Sequence, residues 1–495
     1  MNNTKDILAE IVAKRKADME RLGISFGIKR PTRTRSLHPF IKTPGAILEI
    51  KRSSPSKGNI AMDLDPALTA KKYAEAGASA ISILTEGNYF HGSLNDIIAA
   101  AKAAPDIAIL RKDFLLEPEE VDVAYDFGAD AVLLIARILT DEKLCTMAAR
   151  ARAFGMTPFI EVRTEDDLRK LKLALKNGPA IAGVNSRDLK TFHIDPLIPA
   201  AFRGELPCNA VFESGAQTPK DAAFARKLGF EGILIGEAAA KNPDKAKELV
   251  SAFKNAEPNR YGFFWRTLAQ KRETARKEYR PLVKICGITR SEDGILASAL
   301  GADMLGFMFF SKSPRKTTAE NAYKITEEIR RTCLNNSKKR PLFVGVVADL
   351  DSPEEQDAIC LAEEGILDAI QFHGCGLPKD IENADFGYYI AERIKTTEQV
   401  LDLINSYTQS RPRTLIDAYV EDTIGGTGVR ISEEIVNTVR ERLPLWLAGG
   451  ISAENIREII SKFSPELVDV SSSLESSHGI KDPEKLKAFF NNLKQ

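Results

Sequence analysis

Short apolar runs of three to seven residues alternate along this chain with longer stretches in which apolar residues return every three or four positions. The short runs have the length and character of buried parallel strands, and the longer stretches have the period of amphipathic helices that cover them. In the first half, strands are predicted at 47–51, 80–85, 107–112, 131–136, 157–162, 181–185, 210–213 and 232–236. Helical patterns fall between them, for example at 66–76, 118–127, 141–154, 165–175 and 219–228. Strand–helix alternation of this kind means parallel strands joined by crossover helices. Eight such units in about 250 residues fit a closed (β/α)8 barrel better than an open sheet. No GxGxxG follows the first strand, which argues against a dinucleotide-binding sheet.

The alternation stops at 256–281, a polar and charged stretch with a helical pattern at 263–278. We read it as an inter-domain linker whose Phe263, Phe264, Trp265 and Leu268 dock on a neighbouring surface. Its basic residues, interrupted by Glu273 and Glu278, read as a solvated face and not as a nucleic-acid site. Alternation then restarts, with strands predicted at 282–286, 304–309, 342–347, 369–372, 388–394, 414–417, 445–448 and 468–470. The expected organisation is therefore two fused (β/α)8 barrels, 1–255 and 282–495, joined by 256–281.

Composition changes this picture little. Hydrophobic content of 43% and charged content of 28% belong to a soluble globular protein. Lysine plus arginine and aspartate plus glutamate balance at 69 each, so no general affinity for nucleic acid is expected. No apolar run is long enough to span a membrane, and the charged amphipathic N-terminal segment lacks the features of a secretory signal. Six scattered cysteines without a C-x-x-C pair suit a reducing cytoplasm. His373 and Cys375 lack further ligands at metal spacing, so neither a metal nor another cofactor is expected. One chain carrying both barrels is compatible with a monomer.

Candidate chemistry belongs at the C-terminal ends of barrel strands. In the first barrel those ends carry Glu49 and Lys51, Lys112, Glu161, then Asn185, Ser186 and Arg187, then Glu213, Ser214 and Gly215, and finally Gly236. Glu49 and Lys51 are two apart and share one strand face. Ser214, Gly215 and Gly236 follow the last two strands, where barrels commonly hold a phosphate. The ring of acids, bases and amides points to acid–base chemistry on a phosphorylated small molecule.

EIKRSSPSKG, LTEGNYFHGS, LRKDF, IEV, NSRDL, ESG and LIGEA, in this order, resemble the indole-3-glycerol-phosphate synthase family. The resemblance implies decarboxylating ring closure of carboxyphenylamino-deoxyribulose phosphate, with Lys112 as the acid at the ketone oxygen and Glu161 as the base. It implies catalytic parts for Glu49, Lys51 and Asn185, and substrate contacts from Ser54, Arg187, Glu213, Ser214, Gly215 and Gly236. Glu237 stands where some members carry Ser, so its carboxylate is expected to point away from a bound phosphate.

In the second barrel, VKICGITR puts Lys284 and Cys286 on one face of the first strand. A lysine beside a thiol favours the thiolate, so activity is expected to rise through a thiol-like pKa. Arg315, His373 and Asp417 stand at later strand ends, and Gly425–Gly428, Gly449–Gly450 and Ser471–Ser473 supply glycine- and serine-rich turns. KICGIT, FSKSPR, QFHG, LIDAY with GGTG, LAGGI and VDVSS resemble the phosphoribosylanthranilate isomerase family. The resemblance implies an Amadori rearrangement with Asp417 as acid, Cys286 as base and Arg315 on the anthranilate carboxylate. It also implies substrate contacts from Lys284, His373, Gly449, Gly450, Ser471 and Ser472. The chain departs from the family at VRISEEI after GGTG and at Ser473, where Gly is frequent. The isomerase product is the synthase substrate, so the expected whole is a bifunctional enzyme of tryptophan biosynthesis. The rivals are a Schiff-base aldolase using Lys112 and a phosphosugar-binding protein with one dead barrel.

Overall fold

A computed structural model describes residues 7–41, 43–56, 58–187, 193–337, 339–418 and 431–493. The chain divides into two compact units, Met1–Pro258 and Asn259–Gln495. Each is built on a closed barrel of eight parallel strands.

In the first unit the strands are β1 (Gly45–Ile50), β2 (Ala80–Leu84), β3 (Ala108–Lys112), β4 (Ala131–Ile135), β5 (Thr157–Val162), β6 (Ile181–Asn185), β7 (Ala210–Glu213) and β8 (Gly232–Ile235). Each pairs with its neighbours in sequence, and β8 closes on β1 with Gly232 opposite Gly45. Ile47, Leu110, Leu133, Phe159, Val211 and Leu234 fill the barrel interior. Because side chains alternate along a strand, the residues two places further on from Ile47, Leu110, Phe159 and Val211 continue on this inward face. Those residues are Glu49, Lys112, Glu161 and Glu213, so the parity that builds the core also aims the charges.

Capping boxes at Ser93, Thr164 and Thr218, closed by Asp96, Asp167 and Asp221, start three of the crossover helices and satisfy their first free N–H groups. The polar connection before β1 is tied down by its arginines. Arg33 reaches Asp130 at 2.7 Å, and Arg35 donates to the Ile107 carbonyl at 2.9 Å. The N-terminal helix Ile7–Leu22 buries Leu8, Ile11 and Arg15. Arg15 pairs with Asp113 at 2.6 Å and also with Glu120. This buried ion pair lies one residue from Lys112 and holds the helix over the mouth of the barrel.

In the second unit the strands are β9 (Leu282–Cys286), β10 (Met304–Met308), β11 (Leu342–Val347), β12 (Ala369–His373), β13 (Gly387–Ile394), β14 (Thr414–Ala418), β15 (Trp446–Ala448) and β16 (Leu467–Val470). The ring closes with Leu282 opposite Leu467. Helix Arg260–Lys277 packs within this unit. Phe264, Trp265 and Leu268 are buried, whereas Phe263 is exposed. The Phe264 ring stacks toward Tyr389 and the Trp265 ring tilts against Trp446, with centroids 6.4 and 6.2 Å apart. Among the described residues no helix is long and apolar enough to cross a membrane.

Candidate active sites

The mouth of the first barrel holds a cavity with one charged wall and one apolar wall. Glu49, Lys51, Lys112, Glu161, Asn185, Arg187, Ser214, Gly215, Gly236 and Ser54 all line it. Glu49 bridges two cations, with Lys51 Nζ at 2.6 Å on one oxygen and Lys112 Nζ at 3.2 Å on the other. Burial alone would push the Glu49 carboxyl up, but Lys112 and then Lys51 outweigh it and hold the pKa at about 2. The opposite balance holds at Lys112. Burial would lower its pKa, and Glu49, Glu213 and Glu161 raise it above the ordinary lysine value instead. The ammonium is therefore permanently charged and faces the cavity.

Glu161 is pushed up by burial and by Glu213, against the pull of Lys112 and a hydrogen bond from Asn185. A carboxyl raised in this way sits nearer neutrality, where a general base is most useful. Asn185 is itself fixed, because its Oδ1 accepts from Ser214 Oγ at 3.0 Å and from the Arg187 N–H at 2.9 Å. Ser214 and Gly215 have φ values of +70° and +94°, a left-handed turn that presents the end of β7 to the cavity.

Glu213 departs from the substrate contact expected of it. It is fully buried and lies under Lys112, with its Oε2 3.0 Å from Nζ, and does not reach the cavity. A side chain at Gly183 would put Cβ 2.1 Å from the other Glu213 oxygen, so glycine there leaves room for the carboxylate. Glu237 differs as well. It lines the cavity, where it pairs with Lys241 at 2.7 Å and acts electrostatically on Arg187. The apolar wall was not anticipated from sequence. Leu8 and Ile11 of the N-terminal helix, with Phe90, Phe114 and Leu133, form a surface suited to an aromatic ring. The i, i+3 spacing of Leu8 and Ile11 was the available signal.

In the second barrel a cavity of about 360 Å³ is lined by Cys286, Arg315, His373, Asp417, Gly449, Gly450, Ser471 and Ser472. Lys284 is again a correction. It is fully buried beneath the floor and bonded to Asp469 at 2.6 Å, so it supports the site without meeting the cavity. A Cβ at Gly306 would lie 2.7 Å from the Cys286 sulfur, so that glycine makes space for the thiol. The thiol pKa is raised, not lowered. Burial dominates, and Lys284, already committed to Asp469, only moderates it. Burial likewise pushes the Asp417 carboxyl up to about 6.

Arg315 is held from behind. Its Nε lies 2.9 and 3.1 Å from the two oxygens of Glu475, which also binds Lys481 at 2.9 Å. Among the described residues its two terminal nitrogens have no acceptor, leaving them for a planar anion. Gly449 and Gly450 take φ of +89° and +63°. Ser473 Oγ donates to the Ile451 carbonyl at 2.5 Å, so this departure from the family pattern ties the two turns together. Gly425, Gly426 and Gly428 lie outside the described residues. Cys375 Sγ faces backbone carbonyls, and no group of three metal-type ligands occurs among the described residues.

Residues 4–251 match the family described as Indole-3-glycerol phosphate synthase, and residues 283–492 match N-(5'phosphoribosyl)anthranilate (PRA) isomerase. The chain belongs to both families, one in each barrel. Over 547 residues it is 31% identical to a multifunctional tryptophan biosynthesis protein of Phycomyces blakesleeanus, covering 99% of this chain and 68% of that one. The protein of the same description from Schizosaccharomyces pombe is 33% identical over 490 residues, covering 91% of this chain. This chain spans 60% of the length of the Schizosaccharomyces pombe relative. The indole-3-glycerol phosphate synthase of Rippkaea orientalis is 38% identical over 217 residues, covering 42% of this chain and 73% of that one. Family membership names the barrels: the first is the synthase barrel, and the second is the isomerase barrel.

Proposed function

We propose that the chain catalyses two consecutive steps of tryptophan synthesis. The isomerase barrel converts N-(5-phosphoribosyl)anthranilate to 1-(2-carboxyphenylamino)-1-deoxyribulose 5-phosphate. The synthase barrel closes that product to indole-3-glycerol phosphate with loss of carbon dioxide and water. The observation that carries this reading is that each cavity, in a barrel of the matching family, holds one candidate acid and one candidate base on different strands.

In the isomerase, Asp417 protonates the ribose ring oxygen as the C1–O bond opens, leaving an iminium. The Cys286 thiolate removes the C2 proton, and the resulting enol becomes the ketone as C1 gains a proton. Arg315 holds the anthranilate carboxylate, and the Gly449–Gly450 and Ser471–Ser472 turns hold the phosphate. In the synthase, the Lys112 ammonium supports the ketone oxygen as the carboxylate-bearing aryl carbon attacks. Loss of carbon dioxide from that carbon restores the benzene ring. The new hydroxyl then leaves as water, protonated by Lys112, while Glu161 takes the proton from the adjacent carbon to complete the indole. Glu49 fixes both lysines, while the apolar wall holds the anthranilate ring.

The direct test supplies the purified protein with phosphoribosylanthranilate generated in place. Loss of anthranilate-type fluorescence reports the first step, and indole-3-glycerol phosphate reports the second. Accumulation of the open-chain intermediate would mean that the synthase barrel serves another substrate.

The raised carboxyl alters the expected pH profile. The productive isomerase has Cys286 ionised and Asp417 protonated, yet the thiol lies above its ordinary 9.0 and the carboxyl at about 6. Below about pH 6, kcat/KM rises with pH as thiolate forms. Above it each gain in thiolate is cancelled by loss of protonated Asp417, so the profile is flat until the thiol itself titrates, and then falls. Only about one molecule in 10³ or fewer is in the productive form on this plateau. A single rise through a thiol-like pKa, without the break near 6, contradicts this assignment.

Glu237 beside the phosphate turn gives a second expectation. Glu237→Ser lowers the synthase KM about fivefold with kcat unchanged, since it removes an unfavourable rim charge of order 1 kcal/mol. The gain shrinks at high salt. A higher KM would mean that Glu237 serves to place Arg187.

A further inference from the structure

His373 stands between Asp417 and a chain of polar groups buried in the isomerase wall. Tyr389 Oη donates to Gln371 Oε1 at 2.8 Å, and Gln371 Nε2 lies 3.3 Å from His373 Nδ1. On the far side of the imidazole, Nε2 has no hydrogen-bond partner among the described residues and faces Asp417 Oδ2 at 3.6 Å. The other carboxylate oxygen of Asp417 is already taken, accepting the Ala418 N–H at 2.8 Å. Gln371 and Tyr389 are both buried, and the Tyr389 ring is packed against Phe264 and Trp446.

Such a chain can run in two directions, because an amide and an imidazole each offer a donor and an acceptor. Asp417 decides between them. If His373 carried its proton on Nδ1, the bare Nε2 would face a carboxylate, or Asp417 would spend its proton on the imidazole and withhold it from substrate. With the proton on Nε2, Gln371 donates to Nδ1, Tyr389 donates to Gln371, and Asp417 stays free to protonate another molecule.

We propose that Gln371 and Tyr389 are positioning residues that hold His373 as the neutral Nε2–H imidazole, ready to donate to the carboxylate Asp417 becomes when it gives up its proton. This rests on the assignment of Asp417 as the isomerase acid. His373 stabilises the conjugate base of that acid without exchanging its own proton, so the rearrangement balances as written above. The surroundings keep the ring neutral: burial acts first, and the cations Lys284 and Arg393 add to it, so that its pKa falls to about 4. Asp417 faces His373, Asp469, Arg393 and Lys284.

The test is two-bond proton–nitrogen NMR on the full chain labelled at its five histidines, with His373 assigned by His373→Gln. The expected spectrum shows His373 as the Nε2–H tautomer from about pH 5 to 9, with no imidazolium. Gln371→Glu offers Nδ1 only an acceptor when ionised, so it should drive His373 to Nδ1–H and lower isomerase kcat about 10–100-fold with little change in KM. Tyr389→Phe should give mixed tautomers and a smaller loss. An Nδ1–H ring in the unaltered protein, or a loss of kcat in the variants with the tautomer unchanged, overturns the proposal. The unaltered protein's spectrum decides even if a variant fails to fold. Absence of isomerase turnover alongside the expected spectrum would instead count against Asp417 as the acid.

Discussion

Cys286→Ser is expected to lower isomerase kcat/KM by about 10³-fold or more while leaving the synthase within about twofold. The hydroxyl is smaller than the thiol and fits the space made by Gly306, so the barrel should fold unchanged. What is lost is an ionisable base. A buried thiol forms some thiolate at neutral pH even with its pKa raised, whereas a serine hydroxyl there forms essentially none. Steady-state rates for both steps and a melting curve on the same preparation separate the effects. If both activities fell together with the melting temperature, Cys286 would be a core residue whose thiol is incidental.

Lys112→Met is expected to cost the synthase about 10³-fold in kcat and to leave the isomerase near its normal rate. Here stability should change too. Lys112 is the cation shared by Glu49 and Glu213, at 3.2 and 3.0 Å, and it also pulls on Glu161. Removing it leaves three inward-facing carboxyls with Lys51 alone, a loss of about 3 kcal/mol for an opened buried pair. The sign with pH follows. Without Lys112 the folded carboxyl pKa values rise further, from a Glu161 that already lies above its unfolded value, so the variant gains relative stability as pH falls and protons bind. Denaturant unfolding at pH 5 and 8 should therefore show the larger deficit at pH 8. A deficit equal at both pH values would locate the lysine's contribution in packing and not in charge.

Both expectations start from strand parity, which is why so much of the site was legible in the chain. Strand ends place Lys112 and Glu161 at the mouth, and period-two alternation puts them on the same inward face as the core residues Leu110 and Phe159. Parity does not give depth. Lys284 shares its face with Cys286 but sits two residues earlier, about 6.6 Å further down the strand, which is enough to take it out of the cavity. Glu213 likewise falls beneath Lys112. Nor could spacing reveal partners far apart in the chain: Lys284 with Asp469, Arg315 with Glu475, and Arg15 with Asp113. Burial raises the thiol against expectation, the Lys284–Asp469 pair leaves the lysine able only to moderate that rise, and the Glu475 pair holds Arg315 in place. The pattern named the chemical groups, and the closed barrels determined which of them meet substrate.

Helix Arg260–Lys277 carries a consequence for how such a gene could be joined or divided. Strand–helix alternation resumes only at Leu282, so a reader of the pattern would cut there. Yet Phe264, Trp265 and Leu268 are spent on the second barrel, against Tyr389 and Trp446. An open reading frame begun at Leu282 would encode an isomerase barrel with its own aromatic footing left behind in the other fragment. Recombination that keeps both enzymes whole has its natural seam in the few codons before Asn259, upstream of the helix and not after it.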